Sequence, residues 1–381
     1  MTETNNNYPG FSGAYHLDDC TFLLKLIGPA DISKIEIADL ASQEADIQSG
    51  KAPYWLRVSK EKPPEAEQLA LYREAMTANK VRFTRDVAAL ANAAYKRHRQ
   101  SPEVTIVSLA RAGTPVGVLL NRALKLRGVT SNHYSISIVR DKSIGLDLNA
   151  LKWICHNHDP ESIIFVDGWT GKGGMTLQLA ESVKAFNEAN GTKVSDSLWV
   201  VSDLAGYAHY SADFADYLLP YSVFNGVVSG LVSRTIYNPL VLAPDDFHGA
   251  YLLENLAAHD LTNSFIEEIW SILKLLMEQP AFLPEANIFS AQALSRQNLA
   301  RRTVQHLMED FRISDPNRIK IGIGESTRAM TRRLPQALIL SNPNEPDVQH
   351  LLVKAQIRGV QILEHPLYCG KAAVVVGAAD Q

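Results

Sequence analysis

The chain has 381 residues, with a formal net charge of −4, 46% hydrophobic and 20% charged residues. That balance belongs to an ordinary globular protein of two or three domains. It carries no global basic footprint of the kind that a nucleic-acid-coating protein shows. Cys20, Cys155 and Cys369 are scattered and odd in number. They form neither a disulfide framework nor a metal cluster, so the expectation is a reducing cytoplasm and no metal held by the protein. The start MTETNNNYPG lacks the basic and apolar regions of a signal peptide. No run approaches the roughly 18 apolar residues of a membrane span, so no membrane partner is expected.

Residues 1–62 are loop-rich and read as an N-terminal hood or extension. From Glu65 to about Arg99, Leu69, Tyr72, Met76, Val81, Val87 and Leu90 recur at helical spacing, and Lys96, Arg97 and His98 suit the helix C-terminus. Short β-branched runs then alternate with helical text. Strands are expected at Val104–Leu109, His133–Val139, Ser162–Val166 and Ser197–Ser202, and another at Asp216–Leu219. Apolar strands separated by helices indicate βαβ crossovers and a parallel sheet covered on both faces. Residues 63–244 form this core, and 245–284 read as a helical connector bracketed by Pro280 and Pro284. Residues 285–381 then form a smaller α/β unit.

Ligands of such sheets bind outside the carboxyl ends of the strands. The loop after Val166 has the strongest chemistry there. Asp167 is followed by Gly168, Trp169, Thr170, Gly171, Lys172, Gly173 and Gly174 and then by helical text. Glycines let a backbone approach a ligand closely, and amides at a helix N-terminus suit a phosphate. Gly173 stands where a Walker A loop needs Ser or Thr, so this is not one. After Leu109, the turn Arg111-Ala112-Gly113-Thr114 offers a guanidinium and amides of similar use. Arg140, Asp141 and Lys142 follow the second core strand, and Asp203 and Tyr207 follow the fourth.

These loops resemble those of the type I phosphoribosyltransferases. The resemblance implies that Asp167 contacts the ribose, while Thr170, Gly171, Lys172, Gly173 and Gly174 hold the 5-phosphate. Ala112, Gly113 and Thr114 then hold the diphosphate with Arg111, and Arg140 and Asp141 lie on a mobile catalytic loop. Asp203, Tyr207 and Trp169 face the acceptor. It further implies phosphoribosyl diphosphate or a nucleotide as substrate, with Mg2+ carried on the diphosphate, and it allows a homodimer. Gly168 departs from the usual second acid.

Across nearly the full length, the segments YHLDDCTFLLK, SLARAGTPVGVLL, HYSISIVRD, FVDGWTGKGGMT and SGLVSRT resemble phosphoribosyltransferase-like proteins of tellurite-resistance and stress-response gene clusters. That family is also labelled a cysteine peptidase, under the name StiP. IGIGESTRAMTRRLP and NPNEPDVQHLLVKAQIRGV are similar to a Pelota/L7Ae-like RNA-binding domain. There Gly324, Arg328, Arg332 and Arg333 take the RNA-facing positions, with RNA as an implied partner.

The expectation is therefore an α/β protein with a type I phosphoribosyltransferase-like parallel sheet and a smaller C-terminal Pelota/L7Ae-like domain. The expected activity is transfer of phosphoribose to or from a nucleobase-like acceptor. One alternative is a nucleotide- or RNA-binding regulator without turnover. A second is a cysteine peptidase, which needs a thiolate beside a histidine. His156 and His158 point away from Cys155 on a short helix, and Cys20 and Cys369 have no local histidine motif.

Overall fold

The computed structural model describes residues 10–38, 53–141 and 143–377. Lys142 and much of the expected N-terminal extension lie outside the described residues.

One large sheet organises the first two thirds of the chain. Its strands are β1 (Thr21–Phe22), β2 (Val104–Ala110), β3 (Ser131–Val139), β4 (Ile163–Thr170), β5 (Leu198–Asp203), β6 (Tyr210–Asp213) and β7 (Asn287–Ile288). Their order is β1-β3-β2-β4-β5-β6-β7, parallel along this path except for antiparallel β7, and Gly145–Leu146 adds an eighth strand off the path, antiparallel to β3. The order reverses between β2 and β4. In doubly wound sheets, ligands bind in the crevice at such a reversal.

Helices cover both faces. α1 (Ala66–His98) begins with a reciprocal cap between Glu65 and Gln68 and ends on Lys96, Arg97 and His98. It packs with α2 (Thr114–Leu126) and α5 (Thr262–Met277) through Phe83, Leu119, Leu120 and Phe265, all fully buried. α3 (Leu148–Asn157) and α4 (Gly174–Asn190) cover the opposite face through Leu151, Ile154, Leu179 and Val183.

Residues 245–284, read as a helical connector, contribute α5, whose Phe265, Ile266, Ile269 and Leu273 repeat at helical spacing and enter the large core. The chain then returns to add β7 to the same sheet. The expected loop after Val166 is shorter, because β4 continues through Trp169 and Thr170, which pair with Ser202 and Asp203.

The smaller unit has α6 (Ala291–Asp310), β8 (Ile319–Ile321), α7 (Ile323–Arg332), β9 (Pro335–Leu340), α8 (Gln349–Ile357), β10 (Gln361–Glu364) and β11 (Ala372–Val376). Its sheet order is β8-β11-β9-β10, with only β9 and β10 parallel. The chain is therefore mixed α/β, with a large parallel-dominated sheet and a smaller C-terminal sheet domain. Among the described residues, no helix is long and apolar enough to cross a membrane.

Candidate functional site

The crevice at the strand-order reversal is lined by the segments that follow β2 and β4. Gly113 passes so close to β4 that a Cβ would lie 2.3 Å from the Val166 carbonyl oxygen, which only glycine permits. Tyr221 closes the floor by donating its hydroxyl to the Ala112 carbonyl at 2.8 Å. Thr114 shares a hydroxyl hydrogen bond with Ser135 at 2.8 Å. Arg111 pairs with buried Glu61 and donates to the Val232 carbonyl at 2.9 Å. SGLVSRT thus seats Arg111, and its Gly230 carbonyl also accepts from Ala14 of the N-terminal segment at 2.9 Å.

The C-terminal domain fills this crevice. Trp169 donates its indole N–H to Glu325 at 3.2 Å, and Arg328 lies over the Trp169 ring at 5.4 Å. Gly324 is nearby, where a Cβ would lie 3.8 Å from the Trp169 indole nitrogen. Lys172 is held by the carbonyls of Pro316 and Ile319. Thr170 gives its hydroxyl to Asp203, whose two oxygens also accept from the amides of Tyr207 at 2.8 Å and Ala208 at 2.9 Å. Gly173 is left-handed, with φ of 82°, and the Tyr207 ring occupies the place of its missing Cβ. Gly171 faces Glu325, and Gly174 faces the Arg140 guanidinium. Asp141 turns away to Ser143, whose hydrogen bonds hold its carboxyl below the usual range.

The seam is rich in cations that repel one another. Burial, with help from Arg140, pushes the Lys172 ammonium down to about 8. Burial and Arg333 push Lys320 down to about 7. Half-buried Arg332 falls to about 9 through burial, then through Arg328 and Arg111. Burial also pushes the Asp167 carboxyl up to about 7, against a hydrogen bond from the Gly168 amide at 2.7 Å. The space left among Trp169, Thr170, Gly322, Gly324 and Glu325 is about 20 Å³. That is room for about one water, whereas small-molecule sites run to several hundred Å³. A larger half-open pocket of about 430 Å³ lies beside it, lined by Lys172, Tyr207, Arg301, Val304 and Met308.

The structure therefore brings the two sets of site residues expected from sequence face to face. Arg328, Arg332 and Gly324, expected to meet RNA, are turned toward the large domain. Arg333 stays at the rim, where its carbonyl accepts from Arg358 at 3.1 Å.

The cysteines are all thiols by environment. Burial pushes Cys155 up to about 11 and Cys369 to about 12. Cys20 is 2% exposed, and burial, with Asp19 adding, raises it well above the ordinary value. Thr21 pairs with Tyr134, and Phe22 with Ser135; continued one residue back, that register sets Cys20 opposite His133. The His133 ring fills the place of a side chain at Gly117 of α2. Its Nδ1 lies 2.7 Å from the Asp19 carbonyl oxygen and its Nε2 lies 2.8 Å from Ser108 Oγ. A carbonyl only accepts, so Nδ1 carries the proton, and the Nε2 lone pair accepts from the Ser108 hydroxyl. Burial lowers His133 to about 4, so the ring is neutral. Asp19 itself is held by Arg122 through two hydrogen bonds, at 2.7 and 2.6 Å. The sequence reading missed this pairing; its one signal was that the strand-like runs beginning at Cys20 and His133 sit in segments that both match the StiP family.

A family profile described as "Tellurite-like stress resistance cysteine protease StiP" matches residues 13–270. A profile for a Pelota RNA-binding domain matches residues 298–376. The cysteine protease StiP of Acinetobacter baylyi is 35% identical over 357 residues, covering 91% of this chain and 89% of that protein. These matches overturn the expectation of phosphoribosyl transfer, and with it the transferase and phosphoribosyl-diphosphate-binding roles. The crevice among Trp169, Thr170 and Glu325, at about 20 Å³, is too small for a phosphorylated ribose.

Proposed function

This chain belongs to the StiP family of tellurite-like stress-resistance cysteine proteases, and from that premise we propose that it cleaves peptide bonds with Cys20 as nucleophile and His133 as base. The register of β1 on β3, which continued one residue back sets Cys20 opposite His133, carries this reading. Cys369 directs its sulfur to the Leu204 carbonyl at 3.5 Å. The Cys369 position also falls outside the matched segment 13–270.

Both partners rest neutral, unlike a preformed thiolate–imidazolium pair. The proton therefore leaves sulfur during the attack and moves to Nε2 of His133, once the Ser108 hydroxyl that Nε2 accepts from turns to the Tyr134 carbonyl. Sulfur bonds to the scissile carbonyl carbon, the amine departs with that proton, and water then hydrolyses the thioester. The Nδ1 hydrogen bond to the Asp19 carbonyl holds the ring in the required tautomer. Tyr15 is buried near Cys20, packs on Phe22 beside it with ring centroids 6.1 Å apart, and its hydroxyl has no partner among the described residues. Displacing Tyr15 is the step that admits substrate. The strand order supports the phosphoribosyltransferase-like sheet as a scaffold only.

The test is hydrolysis of casein and of fluorogenic peptide libraries by wild type and by the C20S, C155S and C369S variants. C20S is expected to abolish turnover while C155S and C369S retain it. Full activity in C20S refutes the assignment.

The Pelota-type match over 298–376 supports a second, compatible role in holding RNA. Because Arg328 and Arg332 face inward, we place the contact on Arg301 and Arg302, which are exposed on α6. RNA binding that weakens steeply with salt, and weakens further in R301A/R302A, is the expected result. Binding unchanged by that double substitution removes α6 from the interface.

A further inference from the structure

We infer that His306, Asp310 and His365 form a binding site for a divalent first-row transition ion. Their ligand atoms all lie within 4.8 Å of one another. His306 and Asp310 are one helical turn apart on α6, so both project from one face of that helix. His365 follows the end of β10 and is fixed there by its amide, which donates to the Leu340 carbonyl at 2.9 Å.

The distances fit an ion. His306 Nε2 and His365 Nε2 are 3.2 Å apart. Asp310 Oδ2 lies 3.6 Å from the first and 3.9 Å from the second. Zinc–nitrogen bonds of about 2.0–2.1 Å in a tetrahedron put neighbouring ligand atoms roughly 3.4 Å apart. The three atoms thus outline one face of such a tetrahedron, needing shifts of a few tenths of an ångström.

The protons are arranged to suit. His365 Nδ1 lies 2.9 Å from the Pro366 carbonyl oxygen, so it donates there and leaves Nε2 with a lone pair aimed at the cluster. The Nε2 proton that His306 now shares with His365 is the one an ion displaces. Two imidazoles and one carboxylate select borderline transition ions over Mg2+ or Ca2+. Three protein ligands leave at least one position for water or another ligand. The bound ion ties α6 to the end of β10.

The test uses the full chain, stripped with chelator, loaded with Zn2+, gel-filtered and assayed for bound metal. Mg2+ and Ca2+ serve as controls, and Co2+ reports geometry through its visible absorption. One Zn2+ per chain is expected at this site, with a lower-symmetry Co2+ spectrum typical of tetrahedral coordination. H306A and H365A each lose that equivalent, and D310A weakens it by about tenfold or more. The circular dichroism of the metal-free variants should match wild type, which separates lost ligation from lost folding. Wild type that retains no Zn2+, or stoichiometry unchanged in H306A/H365A, overturns the site.

Discussion

The carboxylate of Asp216, in the large domain, accepts from the backbone amide of Ile323 at 2.7 Å, at the start of α7. Its other oxygen accepts from the Lys371 amide at 2.8 Å. One buried acid therefore fastens the C-terminal domain over the crevice. Truncation leaves both amides unpaired, so D216A should lower unfolding stability by about 2–4 kcal/mol. Urea denaturation measures the loss, and faster tryptic cleavage within 313–335 should accompany it. Unchanged stability would mean that other contacts hold the seam.

Asp167 links stability to pH. Its carboxyl is raised to about 7 in the fold, from an ordinary 3.8. The protonated form is thus favoured on folding, and this contribution is fully present below about pH 3.8. It fades as pH rises toward 7. D167N removes the carboxylate, so its melting temperature relative to wild type should climb between pH 5 and pH 8. A constant difference across that range would contradict the burial argument.

Gly173 is committed to its neighbour as well as to its backbone. An added Cβ meets a Tyr207 ring carbon at 2.3 Å, at φ of 82°. G173A should cost at least about 1–2 kcal/mol from the left-handed backbone alone. In a Y207A background the steric part should vanish and the backbone part remain, as a double-mutant cycle reads directly. A cost in the Y207A background equal to that in wild type would show that the ring yields freely.

Arg122 supports the proposed nucleophile from behind. It pairs with Asp19 through Nε and Nη2 in a setting where the two side chains are 14% and 6% exposed. R122A strands a buried carboxylate next to Cys20 and should cost about 3–5 kcal/mol. Replacing both residues, as D19N/R122M, should recover part of that loss. A double variant no more stable than R122A would contradict the ion-pair account.

Local pattern made the sheet readable. The apolar runs ending at Leu109, Val139 and Val166 are strands, and each loop that follows reaches the crevice. What failed was long-range. Phe265 and Ile269 have helical spacing that fits a connector as well as a core wall, and only packing against Phe83 decides it. Trp169 reads as a loop residue until its pairing with Ser202 extends the strand. Glu325 and Trp169 are 156 positions apart, and nothing local announces their contact. The same holds for Cys20 and His133, set opposite each other by continuing a parallel register between strands distant in sequence. His306 and Asp310 went unread in the sequence, and His365 joins them only through the fold.

Trapping the covalent intermediate tests the central claim most directly. Wild type and Y15A are mixed with an activated peptide ester, quenched in acid, and weighed intact before peptide mapping. A single acyl group on Cys20 is expected, forming faster in Y15A because the ring near the thiol is gone, and absent in C20S. Acylation mapped to Cys155 or Cys369, or no thioester in either protein under conditions where peptides are cleaved, contradicts Cys20 as the nucleophile.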